Sequence, residues 1–334
     1  MEEVSEAMGG VINARAIGER LKGSLSSFIV PCFDEEEVLP IFYRELSSVM
    51  AEIGNPEYEI VFVEDGSRDG TLDVLKRLAE GDRRVRYVSF SRNFGKEAAI
   101  YAGLKYARGD YVAIMDADLQ DPPSLLPEMY QAVLDGGFDC VATQRSTRTG
   151  EGAVRSFFSN AFYYWINALS AVKLVPGARD FRLMKRSVVD AILSLPETGR
   201  FTKGIYEWVG FRTKRLAFKN MRRRAGRTKW SLAHLFFYAV DGITAFSTVP
   251  LAIASVVGFL FFMLSSAAIV FLVVRKLLYW DSSVYGWSSM MCVIFFLSGL
   301  QLMCLGVIGQ YLAKTYLETK RRPPYIVRET NAGI

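Results

Sequence analysis

The chain has 334 residues, 51% of them apolar, and a formal net charge of +5. This length allows one large domain or two smaller ones with an ordinary buried core. A single histidine excludes a zinc site made of several histidines, and four cysteines without a CxxC pair argue against a disulfide framework. The sequence contains neither a GxGxxG dinucleotide fingerprint nor a phosphate loop of the type GxxxxGKS or GxxxxGKT.

The N-terminal part of the chain, after a predicted mobile tail at residues 1–25, alternates short apolar runs with amphipathic segments. Strands are predicted at residues 28–30, 60–63, 85–90, 111–115 and 140–143. Helices are predicted between them at residues 36–53, 72–80, 96–107 and 124–135. The alternation is typical of an α/β domain with a mostly parallel sheet, in which ligands bind beyond the carboxyl ends of the strands.

Carboxylates follow two of these predicted strands. Asp65 ends the second strand, and Asp116 ends the fourth, with Asp118 and Gln120 at alternate positions after it. Carboxylate and amide oxygens in this arrangement suit Mg²⁺ or Mn²⁺ that also binds the phosphates of a ligand. Asp121, which precedes two prolines, is predicted to cap and direct the next helix instead.

Residues 145–229 follow a less regular pattern, in which arginines recur among aromatic residues. The arginines include Arg145, Arg148, Arg155, Arg179 and Arg182. This composition suits the part of a catalytic domain that meets an anionic acceptor near a lipid surface. We therefore assign residues 26–222 to one catalytic domain.

Two long runs near the C-terminus, residues 242–274 and 282–313, carry no charged side chain. Each exceeds the roughly 20 residues that span a bilayer, so transmembrane helices are predicted at 242–274 and 286–313, with an external loop at 275–285. Basic residues are concentrated at 222–229 and 314–322, which predicts that the catalytic domain and both termini are cytoplasmic. Residues 223–241 are predicted to lie in the membrane interface, and residues 314–334 to form a C-terminal tail.

Seven motifs follow one another through residues 26–328. They are VPCFDEEEVLP (30–40), VEDGSRDGT (63–71), SRNFGKEAA (91–99), DADLQDPP (116–123), DFRL (180–183), RRAGRTKWS (223–231) and DGITAFSTVPL (241–251). In this order they resemble glycosyltransferase family 2, and within it the polyprenyl-phosphate glycosyltransferases, which include dolichol-phosphate mannose synthases and bactoprenol glucosyltransferases. The resemblance implies an α/β, GT-A-type nucleotide-sugar-binding domain, followed by an interfacial helix and two transmembrane helices. Two positions depart from the family pattern, since Glu64 replaces a usual Asp and Asp34 a usual Asn.

The resemblance also implies a role for each motif residue. The residues that would bind the nucleotide-sugar are Pro31, Asp34, Glu35, Asp65, Ser67, Lys96 and Asp116. The residues that would hold Mg²⁺ or Mn²⁺ are Asp116, Asp118 and Gln120. The residues that would bind the acceptor phosphate are Arg145, Arg148, Arg223, Thr228 and Lys229. The residues that would act in catalysis are Asp118, Asp180, Arg223 and Lys229, with Asp180 orienting the sugar first and serving as a base second.

The implied activity is the inverting transfer of a monosaccharide, with UDP-glucose as the first choice of donor, to undecaprenyl phosphate in the bacterial inner membrane. The product would serve cell-envelope glycan modification, and the resemblance is compatible with a homo-tetramer. One alternative is a processive membrane polysaccharide synthase, which would need a QxxRW pattern that the chain lacks. The other is a non-catalytic membrane-anchored nucleotide-sugar-binding protein. A nucleic-acid partner is not expected, because the basic clusters flank the apolar runs.

Overall fold

The computed structural model describes residues 13–55, 57–145, 177–195, 197–218, 247–278 and 286–333, together with Asn167, Lys173, Val175 and Thr244. These residues belong to two compact units, an α/β unit and a unit of two long helices. The α/β unit includes the C-terminal segment, residues 323–333, which follows the second long helix. The predicted interfacial segment at 223–241 lies outside the described residues.

The α/β unit is built on a sheet that has eight strands among the described residues. In chain order the strands are β1 (Ser26–Cys32), β2 (Tyr58–Glu64), β3 (Val85–Phe90), β4 (Tyr111–Ile114), β5 (Cys140–Arg145), β6 (Ala178–Lys185), β7 (Thr213–Phe218) and β8 (Val327–Thr330). Their order in the sheet is β7-β5-β6-β4-β1-β2-β3-β8. Only β6 and β8 run antiparallel to their neighbours. The predicted α/β class with a mostly parallel sheet is confirmed.

Helices connect the parallel strands and cover the sheet. They are α1 (Ala14–Arg20), α2 (Leu39–Ile53), α3 (Thr71–Gly81), α4 (Lys96–Tyr106), α5 (Leu126–Asp135), α6 (Arg186–Leu193) and α7 (Thr202–Trp208). β1 and β2 are buried along almost their whole length. Strands that are covered on both faces have continuous apolar sequences, which explains why β1 and β2 were recognisable from the sequence.

The segment predicted as a mobile N-terminal tail contains helix α1, so this prediction is corrected from residue 13 onward. The side chain of Asn13 accepts a hydrogen bond from the Ala16 N–H and caps the helix. Ile17 and Leu21, four residues apart, are both buried. A Cβ on Gly18 would collide with the carbonyl oxygen of Ile53, so glycine permits close packing on the end of α2. Two apolar side chains are too few to predict a helix from the sequence, although they are enough to hold α1 in place when a packing surface is present.

The predicted C-terminal tail also differs from the structure, because its last part adds a strand to the sheet. β8 pairs antiparallel with β3, with Val88 opposite Thr330. Asn331 fixes this pairing by accepting a hydrogen bond from the Tyr87 N–H at 2.6 Å and donating one to the Val85 carbonyl at 3.1 Å. The strand has only four residues, and its partner is more than 200 residues away in sequence, so no local pattern marks it.

A buried ion pair joins β2 and β3 to the C-terminal segment. Arg86 and Glu59 are 7% and 6% exposed, and their charged groups lie 2.6 Å apart. Arg86 also donates to the carbonyls of Tyr106, at 3.0 Å, and Gly333, at 2.9 Å. The second oxygen of Glu59 accepts from the Ser27 hydroxyl at 2.7 Å. Such a pair is sustainable in the interior only when its remaining hydrogen bonds are made, as they are here.

The second unit contains helices α8 (Val249–Leu278) and α9 (Trp287–Thr319). Each contains a stretch long and apolar enough to cross a membrane, Val249–Ala268 and Val293–Thr319, and neither stretch is buried within the protein. Large apolar side chains such as Phe262 and Phe295 are more than 60% exposed. Exposed apolar surface of this extent requires a non-aqueous environment or a partner. α9 continues beyond residue 313, the predicted end of the second span.

We expect Arg86→Met to destabilise the protein strongly, because it leaves the buried Glu59 carboxylate without its countercharge. The expected cost is about 3–5 kcal/mol. Arg20→Met is the matched control, because Arg20 and Asp135 form an ion pair whose side chains are 46% and 54% exposed and whose loss should cost about 0–1 kcal/mol. Thermal melting of the full-length protein in detergent measures both variants, and equal shifts in melting temperature would contradict this prediction.

Candidate active site

β1, β2 and β4 end at the carboxyl edge of the sheet. Two turns there, residues 33–36 after β1 and residues 65–71 after β2, hydrogen-bond to each other, and we call them the two interlocked turns. The Asp34 N–H donates to the Ser67 hydroxyl at 3.1 Å, and the Asp34 carboxylate accepts from the Arg68 N–H at 2.9 Å. The Glu35 N–H donates to the Thr71 hydroxyl at 2.9 Å. Asp34 has a left-handed φ of 53°, which Asp tolerates better than most residues. The structure therefore brings together Asp34, Glu35 and Ser67, three of the predicted nucleotide-sugar residues.

These contacts also explain why α2 begins at Leu39, three residues later than predicted. The carboxylates of Asp34 and Glu36 bind the turn after β2, since that of Glu36 accepts from the Gly70 N–H at 2.7 Å. Pro31, another predicted nucleotide-sugar residue, lies in β1 opposite Val63 of β2. Its position is therefore at the same edge as the two turns.

Asp65 connects the end of β2 to residues 91–95, which we call the donor loop because Lys96, a predicted nucleotide-sugar residue, follows it. Its buried carboxylate accepts hydrogen bonds from the N–H groups of Phe94, at 2.6 Å, and Gly95, at 2.9 Å. Burial raises the pKa of Asp65, and the two N–H donors partly offset the rise. Glu64 has a different partner, the Ser89 hydroxyl at 2.6 Å. Asp65 therefore holds the donor loop against the turn that follows β2.

Gly66 permits this close approach of turn and loop. Its φ is +67°, and a Cβ at this position would collide with the backbone of Arg92 and Asn93. Glycine adopts a positive φ without steric cost, whereas a side chain is strained there. Both the backbone conformation and the lack of space thus require glycine between Asp65 and Ser67.

Lys96, the first residue of α4, bridges two carboxylates, one in the turn after β4 and one in β6. Its ammonium lies 2.6 Å from a carboxylate oxygen of Asp116 and 2.6 Å from one of Asp180. Desolvation opposes the charge on Lys96, but the two carboxylates outweigh it and hold the pKa of the ammonium well above its ordinary value. The cation thus neutralises repulsion between two carboxylates that the fold brings together.

Asp180 reaches Lys96 because β6 runs antiparallel beside β4. Ile114 is paired with Arg182, and continuing this register by two residues brings Asp180 opposite Asp116. Burial alone would raise the pKa of Asp180, but Lys96, Lys203 and Arg182 hold it well below its usual range. An ionised carboxylate of low pKa is a poor general base. Such a carboxylate suits orientation of a ligand better than proton abstraction, and the role of Asp180 stays a prediction.

The acidic turn, residues 116–121, follows β4. The Asp118 carboxylate accepts from the Gln120 N–H at 3.1 Å, and Leu119 between them has a left-handed φ of 56°. In the part of the chain that the structure describes, no group of three or more His, Cys, Asp or Glu side chains is arranged to hold a metal. Mg²⁺ is commonly held by one or two carboxylates with ligand phosphates completing its coordination, so Asp116 and Asp118 fit this donor set.

Gln120 has a side-chain contact that competes with its predicted metal role. Its amide oxygen accepts a hydrogen bond from the Arg179 guanidinium at 3.0 Å. The oxygen would have to leave this donor, or share it, to bind a cation. The roles of Asp116, Asp118 and Gln120 as metal ligands stay predictions.

The prediction that Asp121 caps the next helix is wrong. α5 begins at Leu126 after a short 3-10 turn, and neither receives a side-chain cap. Asp121 is instead buried and lies 3.2 Å from Arg179 Nε. Burial raises its pKa to about 6; Arg179 opposes the rise, whereas Asp116 and Asp118 contribute to it. Only the pairing of β6 with β4 brings Arg179 here, so no local signal identified its role.

Helix α7 contributes further residues that the sequence did not indicate. Lys203 acts on Asp180 through its charge. The Thr202 N–H donates to the carboxylate of Glu97, the residue after Lys96, at 3.0 Å. The Arg182 guanidinium lies over the Tyr206 ring, 3.2 Å from its centroid. These contacts fix the start of α4 and the strand that carries Asp180.

Several predicted phosphate-binding residues cannot be compared with the geometry. Arg148, Arg223, Thr228 and Lys229 lie outside the described residues, and Arg145 is described only as the last residue of β5. Their roles in acceptor binding and catalysis therefore stay predictions.

The site described above falls within a recognisable family sequence. Residues 27–193 match the family described as Glycosyl transferase family 2. The chain belongs to this family. The matched range includes all the described residues of the carboxyl edge, from Pro31 to Asp180, and family membership confirms the predicted GT-A-type class. The protein is thus a glycosyltransferase.

Relatives resemble this glycosyltransferase over almost its whole length. The uncharacterized glycosyltransferase sll0501 of Synechocystis sp. is 41% identical over 91% of this chain and 94% of its own length. The prophage bactoprenol glucosyl transferase homolog of Escherichia coli K12 is 39% identical over 90% of this chain and 98% of its own length. Among solved structures, mannosyl-3-phosphoglycerate synthase from Rubrobacter xylanophilus has a TM-score of 0.48 at 18% identity, covering 69% of this chain and 75% of that chain. The two sequence likenesses extend well beyond the α/β unit.

We expect Gly66→Ala to reduce glycosyl transfer, because its Cβ forces the turn after β2 away from the donor loop. Gly81→Ala is the control, since Gly81 ends α3 and a Cβ there meets nothing within 4 Å. The control should leave the melting temperature unchanged or slightly raised. Transfer rates and melting curves of both variants provide the measurement. A fully active Gly66→Ala variant would show that the turn tolerates displacement.

We expect Lys96→Met to destabilise the glycosyltransferase most at neutral pH, because it leaves Asp116 and Asp180 without their shared cation. The folded-state pKa of Asp180 is depressed, so its stabilising contribution is present above the unfolded value of about 3.9 and is lost as pH falls through the folded value. The difference in melting temperature between wild type and variant should therefore narrow below about pH 4. Melting curves across this range test the prediction, with Lys105→Met on the exposed side of α4 as control. A difference that does not vary with pH would contradict it.

Proposed function

We propose that this glycosyltransferase transfers a monosaccharide from a nucleotide-sugar, with UDP-glucose as the first choice, to undecaprenyl phosphate. The product is a polyprenyl-monophosphate sugar for modification of cell-envelope glycans. The observation that carries the proposal is the convergence of Asp116, Lys96 and Asp180 at the carboxyl edge of the sheet. The name of the E. coli relative, a bactoprenol glucosyl transferase homolog, supports the choice of acceptor and sugar.

The donor side of the site consists of the two interlocked turns and the donor loop. Asp34, Glu35 and Ser67 already form one hydrogen-bonded surface, to which the nucleoside part of the donor binds. Asp65 holds the donor loop and thereby fixes the start of α4. A surface organised before binding loses less entropy when the ligand arrives. Pre-organisation of this kind supports a binding role.

The diphosphate of the donor lies at the acidic turn in this proposal. Asp116 and Asp118, with Gln120, would hold Mg²⁺ or Mn²⁺, which when bound supplies Lewis-acid stabilisation of the charge on the leaving group. Lys96 adds a fixed positive charge beside Asp116. Arg179, which contacts Gln120 and Asp121, keeps the turn in its conformation.

The reaction is a single displacement at the anomeric carbon. An oxygen of the acceptor phosphate forms the new bond while the bond to the nucleoside diphosphate breaks, so the configuration inverts. A phosphate monoester has a second pKa of about 6, and the attacking oxygen needs no strong base to remove a proton. Asp180, held ionised by its basic neighbours, orients a sugar hydroxyl. Arg145, Arg148, Arg223, Thr228 and Lys229 bind the phosphate groups, with Arg223 and Lys229 also stabilising the departing charge.

The two apolar helices anchor the enzyme in the bacterial inner membrane, where the acceptor resides. Both stretches have sufficient length and apolarity to span it. β8 follows the second helix and pairs with β3, which precedes the first, so both flanks of the helix pair belong to one folded unit. This favours a topology in which both flanks lie on the same side of the membrane. The basic residues of both flanks favour the cytoplasmic side for the catalytic unit and both termini.

The decisive assay incubates the full-length protein in detergent with undecaprenyl phosphate, Mg²⁺ or Mn²⁺ and a panel of nucleotide-sugars. Mass spectrometry should detect a lipid-phosphate hexose that disappears with EDTA. Asp118→Asn should reduce its formation roughly 10²- to 10³-fold, the usual cost of losing one electrostatic group in a site. Asp73→Asn, on the exposed face of α3, should have no effect. Polymer formation without a lipid product would favour a polysaccharide synthase, and binding of a nucleotide-sugar without turnover would favour a non-catalytic protein.

A further inference from the structure

The C-terminal segment is part of the hydrophobic core on the α4 side of the sheet. Ala332 is 1% exposed, and Tyr325 and Val327 pack on the same cluster, which includes Val63 and Phe90. Residues that follow the second long helix thus fill space beside strands that end at the carboxyl edge. The segment therefore adds side chains to this core as well as adding β8 to the sheet.

Tyr325 and Ile326 make the contacts of this segment beside the donor loop. Its ring stacks on Phe90 with centroids 4.9 Å apart and planes inclined by 15°. Phe90 in turn meets Phe94 of the donor loop edge to face, at 5.8 Å and 89°. The next residue, Ile326, accepts a hydrogen bond from the N–H of Ser91 at 2.9 Å. The C-terminal segment therefore contacts Ser91, the first residue of the donor loop, and also Phe90, whose ring packs on Phe94 of the same loop.

The donor loop connects these contacts to the active site through Asp65 and Lys96. The N–H groups of Phe94 and Gly95 are the donors that hold the Asp65 carboxylate, and Lys96 follows directly. Gly95 has a φ of +96°, a conformation that glycine readily leaves when no contact holds it. The position of the Lys96 ammonium thus depends on a loop that is fixed from two sides, by Asp65 and by the C-terminal segment.

We propose that Tyr325 is a positioning residue for the donor site, and that the C-terminal segment holds the donor loop so that Asp65 and Lys96 are correctly placed. The proposal rests on the proposed function, because the donor site is assigned there. Tyr325 itself does not contact a reacting group in this scheme. It acts through Phe90 and Phe94, and its effect on catalysis is exerted through the geometry of the loop.

The proposal requires the ring of Tyr325 and not its hydroxyl. Aromatic pairs contribute stabilisation beyond their buried area through the orientation of their rings. Tyr325→Phe retains the stack on Phe90, whereas Tyr325→Ala removes it. Glu329→Gln is the matched control in the same segment, since it removes only an ion pair with Lys76. The side chains of Lys76 and Glu329 are 38% and 35% exposed.

Two measurements on the full-length protein test the proposal. Hydrogen–deuterium exchange of residues 91–95 should be faster in Tyr325→Ala than in wild type, Tyr325→Phe or Glu329→Gln. In the transfer assay, with the nucleotide-sugar that the wild-type enzyme uses, Tyr325→Ala should raise the donor KM roughly three- to tenfold. The KM for undecaprenyl phosphate should not change, because the donor loop does not bind the lipid in this scheme.

The outcomes separate a positioning role from a merely structural one. Faster exchange and a raised donor KM, both restored in Tyr325→Phe, support the proposal. Unchanged exchange in Tyr325→Ala overturns it, and so does a lower yield or kcat with an unchanged donor KM. If the wild-type enzyme forms no lipid product, the proposed function fails, and the exchange measurement still decides whether Tyr325 holds the loop.

Discussion

The site depends on one electrostatic constraint, which is that carboxylates from two strands lie close together at the carboxyl edge of the sheet. Like charges at such distances raise one another's pKa and oppose folding unless cations are present. Lys96 supplies one cation between Asp116 and Asp180, and Arg179 supplies another beside Asp121. The acidic turn is thus balanced by the protein's own side chains. A donor diphosphate and its cation would enter a site whose charges are already ordered.

The strand arrangement explains how these charges meet. β1, β2 and β4 deliver the two interlocked turns and the acidic turn to one edge, as parallel strands do. β6 enters beside β4 in the opposite direction, so its beginning, rather than its end, lies at the site. The antiparallel strand therefore contributes Arg179 and Asp180 from a part of the chain about 60 residues away in sequence. A purely parallel continuation would have turned these residues toward the opposite edge.

The C-terminal segment gives the fold a second long-range closure. β8 covers the outer edge of β3, and the buried Arg86–Glu59 pair fixes the segment through the Gly333 carbonyl. An unpaired edge strand exposes backbone groups that can pair with other chains, and β8 replaces β3 at this edge with a strand of only four residues. The same segment contacts the donor loop directly through Ile326, and Tyr325 packs on Phe90, which contacts Phe94 of the loop. Pairing with the edge of the sheet and the proposed support of the donor site are thus combined in residues that follow an apolar helix.

The sequence by itself determined the α/β class, the first five strands, the family and the two long apolar helices. These features depend on local periodicity, on apolar runs and on motifs whose order is readable along the chain. The tertiary structure decided the partners of Asp121 and Gln120, the packing of α1 and the pairing of β8. It also joined Lys96 to two carboxylates. Each of these depends on contacts between residues far apart in sequence, where strand direction and register set which side chains meet. A local sequence pattern does not specify such long-range contacts, because it would be the same if β6 or β8 ran in the opposite direction.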